Sequence, residues 1–150
     1  MDGLINNVIT QVAIVVRDIE KTACNYAELF GMEMPPIILT DPEEKAHTRY
    51  QGQPTSARAK LAFFRMGSLS LELIEPIGGP STWQEFLDKH GEGIHHIAFQ
   101  VQDMDKAVRF LESKGISLVQ QGDFTGGCYA YMDATPQLGA IIELLVHDHS

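Results

Sequence analysis

Apolar and polar positions along this chain fall into short stretches with two periods, and the order of those stretches is written twice. Residues 10–16 (TQVAIVV) predict a β-strand with Val12, Ile14 and Val16 on one face. Ile19, Ala23, Tyr26, Leu29 and Phe30 then recur at the helical period. Asp18 before them and Gly31 after them supply the cap and the stop. In the second half, residues 94–101 predict a strand, and Asp103 caps a helix with Met104, Ala107, Val108 and Leu111 on one face. Gly115 ends it.

The repeat extends into the later strands. Residues 69–75 (LSLELIE) correspond to residues 140–146 (AIIELLV), and each is preceded by another expected strand, 60–64 and 128–132. Internal self-similarity fixes architecture more firmly than any single propensity. The expected fold is α+β: two tandem βαβββ modules, about 8–78 and 92–148, in one domain over 1–150, forming a curved, barrel-like mixed sheet. Between the modules, residues 80–87 predict a short helix with Ser81 and Gln84 at capping-box spacing. Gly91 and Gly93 stop it. Residues 40–58 are polar, interrupted by Pro42, Gly52 and Pro54, and lack a clean period, which predicts a long loop, with a short strand inside it as the alternative.

Four residues break the apolar pattern at matching places. Side chains alternate across a strand, so the faces opposite the apolar ones carry Gln11, Glu72, His96 and Glu143. Gln11 and His96 lie at equivalent places in the two copies of the first strand, each followed two residues later by a small alanine, Ala13 or Ala98. Glu72 and Glu143 occupy equivalent places in the two copies of the last. The twofold relation between modules would gather all four around one point. An unpaired carboxylate inside a sheet costs several kcal/mol, and two facing each other cost more unless a divalent cation neutralises them. Carboxylate, imidazole and amide donors together suit Zn, Ni, Co, Mn or Fe.

Glu143 is the expected principal base for proton removal beside a carbonyl, with Glu72 as ligand and partner acid or base. By alternation His95 points to the apolar face, away from His96. His47, His90, His147 and His149 fall in loops or at the terminus. Arg49, Arg58 and Lys60 flank the long loop, and Arg49 and Arg58 are candidates to bind an anionic substrate tail. Trp83 and Phe86 are candidate pocket walls, with ordinary helix packing as the alternative.

Composition narrows the picture little further. With 44% hydrophobic and 21% charged residues the chain reads as a folded domain. A net charge of −9 argues against a nucleic-acid partner. No apolar run approaches the ~20 residues of a membrane span. Residues 1–4 lack the pattern of an export signal. Cys24 and Cys128 fit no metal or redox spacing and are expected as buried thiols in a reducing, cytoplasmic setting.

The stretches 91–99 (GEGIHHIAF), 71–76 (LELIEP) and 142–144 (IEL) resemble the vicinal oxygen chelate superfamily, which includes glyoxalase I, methylmalonyl-CoA epimerase, extradiol dioxygenases and bleomycin-resistance proteins. The resemblance spans residues 9–146. It implies metal ligands on the first and last strands of each module, at Gln11, Glu72, His96 and Glu143. It also implies a homodimer, a small-molecule substrate and a divalent metal cofactor (Zn, Ni, Co or Mn). Residues 80–98 are similar to methylmalonyl-CoA epimerase, while the Gln-Glu-His-Glu set is closer to some glyoxalase I enzymes. The strand at 129–133 (YAYMD) departs from the Phe-Leu-His-Pro pattern of the epimerases. The expected function is a metal-dependent isomerase or lyase, with a non-catalytic binding protein on the same scaffold as the alternative.

Overall fold

Strand β1 (Gln11–Val15) leads through helix α1 (Ile19–Phe30) in a computed structural model that describes residues 6–148. Residues 1–4 and His149, named above, lie outside those described. The Asp18 carboxylate accepts from the Lys21 amide and Gly31 closes α1 at φ 63°. A short β2 (Ile38–Leu39) follows, and β5 (Arg58–Met66) and β6 (Leu69–Ile77) complete the first module. Helix α3 (Thr82–His90) joins it to the second module: β7 (Gly93–Gln100), α4 (Met104–Ser113), β8 (Ser117–Phe124), β9 (Gly127–Ala134) and β10 (Ala140–His147). Ser81 Oγ accepts from the Gln84 amide, the expected cap of α3. The Gln84 side chain donates to Asp88 instead of reaching back, so the capping box is half made.

All strands join one mixed sheet, curled into a half-barrel, in the order β2-β5-β6-β1-β7-β10-β9-β8, extended by β3 (Arg49–Tyr50) and β4 (Gln53–Pro54). Each module contributes the same internal order, and the two first strands meet antiparallel at the centre. The repeat holds down to register. Ala13 lies beside Glu72 in the parallel pair β1–β6, and Ala98 lies beside Glu143 in the parallel pair β7–β10. Both alanines are fully buried, so methyl groups leave room where larger side chains would fill the concave face.

The convex face takes the two long helices. Val16, Ile19, Ala23, Phe64, Leu71 and Leu73 form the core under α1. Ala107, Leu111, Met132, Ile142 and Leu144 form its counterpart under α4. A third cluster on the concave side plugs one end of the half-barrel, with Trp83 of α3 packed near Ala13, Val15, Ile74 and Tyr131.

Three expectations are corrected here. Leu29 and Phe30, assigned to the buried stripe of α1, are 79% and 60% exposed; the helix outruns the sheet beneath it, and Phe30 stacks on Tyr26. Cys24 is exposed rather than buried, because it follows Ala23 by 100° around the helix; Cys128 is half-buried. Residues 40–58 hold more than a loop with one short strand inside it. They hold helix α2 (Glu43–Ala46) and the β3–β4 hairpin, and they run from β2 at one edge of the sheet to β8 at the other. The segment is a strap across the open side of the half-barrel. No described helix is long and apolar enough to cross a membrane.

Candidate active site

The pseudo-twofold delivers Gln11 from β1, Glu72 from β6, His96 from β7 and Glu143 from β10 to one point on the concave face. His96 Nε2 lies 3.2 Å from Glu143 Oε1 and 3.6 Å from Glu72 Oε1. The Gln11 amide reaches Glu143 Oε1 at 2.9 Å and Glu72 Oε1 at 3.3 Å. Turned nitrogen-inward, that amide donates to both carboxylates; turned oxygen-inward, it adds a fourth lone pair. His96, Glu143 and Glu72 are 0%, 5% and 7% exposed, and His96 Nε2 has no hydrogen-bond partner.

Atoms held 2.0–2.2 Å from one ion lie about 2.8–3.6 Å from each other in octahedral to tetrahedral geometry. The observed separations of 2.9, 3.2, 3.3 and 3.6 Å fall in that range, so these residues fit such an ion. Counting His, Cys, Asp and Glu alone, no three or more of the described residues group as a metal cluster.

Burial governs the charges. It pushes Glu143 up to about 8, with a hydrogen bond from Tyr131 pulling the other way. Glu72 is raised well above the carboxylate range by burial and then by the negative charge of Glu143. Burial brings His96 down to about 3, so its ring is neutral at physiological pH. Tyr131 stands opposite Glu143 on neighbouring β9 and accepts a hydrogen bond from Trp83 Nε1 at 3.0 Å. Its own pKa is raised well above the usual value by burial and by both carboxylates.

His95 is not where strict alternation puts it. The β1–β7 ladder pairs Ala13 with His96 and then Ile14 with Ile94, so a bulge leaves His95 without a partner across the ladder. The extra residue turns His95 onto the concave side, 3% exposed, between Phe86 and Tyr131. Its Nδ1 comes 2.7 Å from His96 Nδ1. Burial, then the neighbouring His96, lowers its pKa well below the usual imidazole value. The His95 ring packs edge-on against Phe86 of α3.

Above Gln11, Glu72 and Glu143 opens a cavity of about 430 Å³, with His96 buried beneath it. Leu61 and Phe63 of β5 wall one side, Phe124 and Tyr129 the other, and Trp83 lines the interior. Thr40, Asp41 and Thr48 reach it from the strap, and His147 from the end of β10. The strap residues were missed in the sequence because only the strap's path across the sheet brings them in, and His147, expected in a loop or at the terminus, is the last residue of β10. Neither Arg49 nor Arg58 is among the lining residues. Arg58 donates to the Thr40 carbonyl through Nε (2.9 Å) and Nη2 (2.7 Å), and Arg49 donates to the Gly52 carbonyl at 3.3 Å.

A two-module sheet with donor residues on its concave face defines a class of protein, and comparison agrees. The model of the Glyoxalase/Bleomycin resistance protein/Dioxygenase superfamily matches residues 10–132, and the chain belongs to that superfamily. It is 34% identical over 91 residues to YqjC of Bacillus subtilis (strain 168), an uncharacterized protein, covering 58% of this chain and 64% of YqjC. It is 28% identical over 115 residues to the mitochondrial methylmalonyl-CoA epimerase of Bos taurus, covering 75% of this chain and 57% of that one. The chain thus spans less than two thirds of the length of these two relatives. The crystal structure of methylmalonyl-CoA epimerase from Mycobacterium tuberculosis is similar with a TM-score of 0.63 and 25% identity, over 94% of this chain and 88% of that one.

Proposed function

We propose that this chain is a metal-dependent isomerase of the epimerase type, moving a proton on the carbon beside a carbonyl. Gln11, Glu72, His96 and Glu143 would hold a divalent ion such as Zn, Ni, Co or Mn. The observation that carries this reading is the convergence of two buried carboxylates, a neutral imidazole and an amide, with no Lys or Arg among the residues lining the cavity. Desolvating each ionised carboxylate costs several kcal/mol unless a cation compensates. A bound ion would supply that charge and stabilise the negative charge that develops on a substrate oxygen.

The remaining work falls to the chain's own side chains. Glu143 takes the proton from the carbon as the C–H electron pair moves into the carbonyl. Tyr131, opposite Glu143 across the β9–β10 ladder and anchored by Trp83, orients that carboxylate. Glu72, its counterpart across the pseudo-twofold, delivers a proton to the opposite face and so inverts the carbon. The apolar walls limit bulk water around the intermediate. Paired buried acids favour this reading over a non-catalytic binding protein, which has no use for two of them. Relatives named as epimerases favour inversion over a glyoxalase-type lyase reaction. The proposal includes a homodimer, tested by sedimentation equilibrium.

The test is deuterium entry from D2O. Metal-loaded protein is incubated with methylmalonyl-CoA and with a panel of small α-hydroxyketones, and exchange is read by mass spectrometry. Exchange in at least one compound, lost in a Glu143→Gln variant that still carries metal, is the expected result. No exchange in any compound, or exchange that survives Glu143→Gln, overturns the proposal.

A further inference from the structure

The wall of the cavity differs from what an anionic substrate handle needs. Its sides are apolar, with Ile38, Leu39 and Phe63 remaining 46%, 48% and 37% exposed in a groove that leads to Glu72 and Glu143. The charges added to this lining beyond the four-residue site are acidic. Asp41 comes from the strap and Asp123 from β8. Among the described residues, no lysine or arginine lines the cavity. Lys45 and Arg49 are exposed on the strap and are not among the lining residues, and Arg58 and Lys60 of β5 are turned away and engaged elsewhere. Leu61 and Phe63 face the cavity, so alternation along β5 sends Arg58 and Lys60 to its other face. There Arg58 holds the Thr40 carbonyl and Lys60 Nζ lies 3.8 Å from Glu75 Oε2. His47 Nδ1 lies 2.9 Å from Asp123 Oδ2 at the surface, and His147 lines the cavity.

We infer that the cavity selects an uncharged carbonyl substrate with an apolar body, and discriminates against one carried on an anionic handle such as a CoA ester or a glutathione adduct. The inference rests on the proposed function, because it assigns a substrate class to the same site. A phosphate or carboxylate lying in the groove would meet Asp41 and Asp123, with no guanidinium or ammonium among the described lining residues. An alkyl body would cover Ile38, Leu39 and Phe63 and gain the free energy of removing them from water. Asp41 and Asp123, on separate segments, act as the rejecting groups.

Two probes with one head group test this. Octanohydroxamic acid and suberic monohydroxamic acid offer the same pair of chelating oxygens on chains of the same length, and differ in ending in a methyl or a carboxylate. Each is titrated calorimetrically into Zn-loaded protein at pH 8, where free imidazole is uncharged, with metal content measured on the same sample. The expected result is at least about tenfold tighter binding of the uncharged tail. The Asp41→Asn, Asp123→Asn double variant is expected to narrow that ratio severalfold by strengthening the acid's binding. Equal or tighter binding of the acid overturns the inference, and so does a ratio the double variant does not move. Metal content separates the failures. A loaded protein that prefers the acid sinks this inference alone, while a protein that takes up no metal and binds neither probe sinks the proposed function beneath it.

Discussion

His95 Nδ1 lies 2.7 Å from His96 Nδ1, although successive residues of a regular strand point to opposite faces. The bulge in β7 makes the contact, and the contact constrains a tautomer. One of the two nitrogens must carry the proton. If His96 donates, its Nε2 is left as a lone pair aimed between Glu72 and Glu143, the state a metal ligand needs. Replacing the acceptor with His95→Leu is expected to weaken Zn affinity about 10–100-fold, the usual effect of losing a group that orients a ligand. His95→Gln, which can still accept, is expected to recover most of it. Competition with a chromophoric chelator reads both, and unchanged affinity in His95→Leu contradicts the role.

The raised pKa of Glu143 has a consequence for stability. A carboxyl raised from 4.5 to about 8 in the fold binds its proton more tightly there than in the unfolded chain. Its contribution is therefore full below about 4.5 and lost as pH climbs to about 8. His96, lowered from 6.5 to about 3, acts in the opposite sense below 6.5, so the window to read is pH 6.5 to 8, where Glu72, also raised, acts in the same sense as Glu143. Over that window the metal-free protein is expected to lose about 2 kcal/mol, or about 5 °C in Tm. Added Zn is expected to stabilise more at pH 8 than at 6.5, because binding competes with protons. Thermal melts with and without chelator check both slopes.

Tyr131 links Trp83 to Glu143. Its hydrogen bond holds the Glu143 pKa down, so Tyr131→Phe is expected to raise it and move the acid limb of the kcat/KM profile to higher pH. The rate at the plateau is expected to change less than the position of the limb. A profile that falls uniformly without shifting would assign Tyr131 a packing role alone.

Gly127 opens β9 where a Cβ would stand 2.0 Å from the Val146 carbonyl oxygen on β10. Gly127→Ala is expected to cost about 3 kcal/mol, since backbone on the neighbouring strand must shift. Urea unfolding measures it. Gly126, the preceding glycine, has open space around its Cβ position but a φ of 92°. Alanine there is expected to cost about 1 kcal/mol through backbone conformation alone.

The module repeat was legible because strand and helix periods are local and were written twice; β1 with α1 and β7 with α4 form where the periodicity puts them. The gathering of Gln11, Glu72, His96 and Glu143 was legible for the same reason, since each occupies an equivalent register in its module. The bulge was not. Nothing in Ile94-His95-His96-Ile97 marks an extra residue; the shift is visible only against Ala13 and Ile14 on the facing strand. The strap was read as a loop because β3 is two residues long and gains its partners from β8, about seventy positions later. Arg58 could have been placed from sequence: the alternation that assigns Leu61 and Phe63 to the cavity excludes it.

Metal content tests the central claim most directly. Protein purified without a chelating tag, exposed to Zn, Ni, Co and Mn and then dialysed, is analysed by elemental mass spectrometry beside a His96→Ala, Glu143→Ala double variant. The account predicts close to one divalent ion per chain in the wild type and little in the variant, with both folded by circular dichroism. A folded wild-type protein that retains none of the four metals, or a variant that retains as much as the wild type, contradicts it.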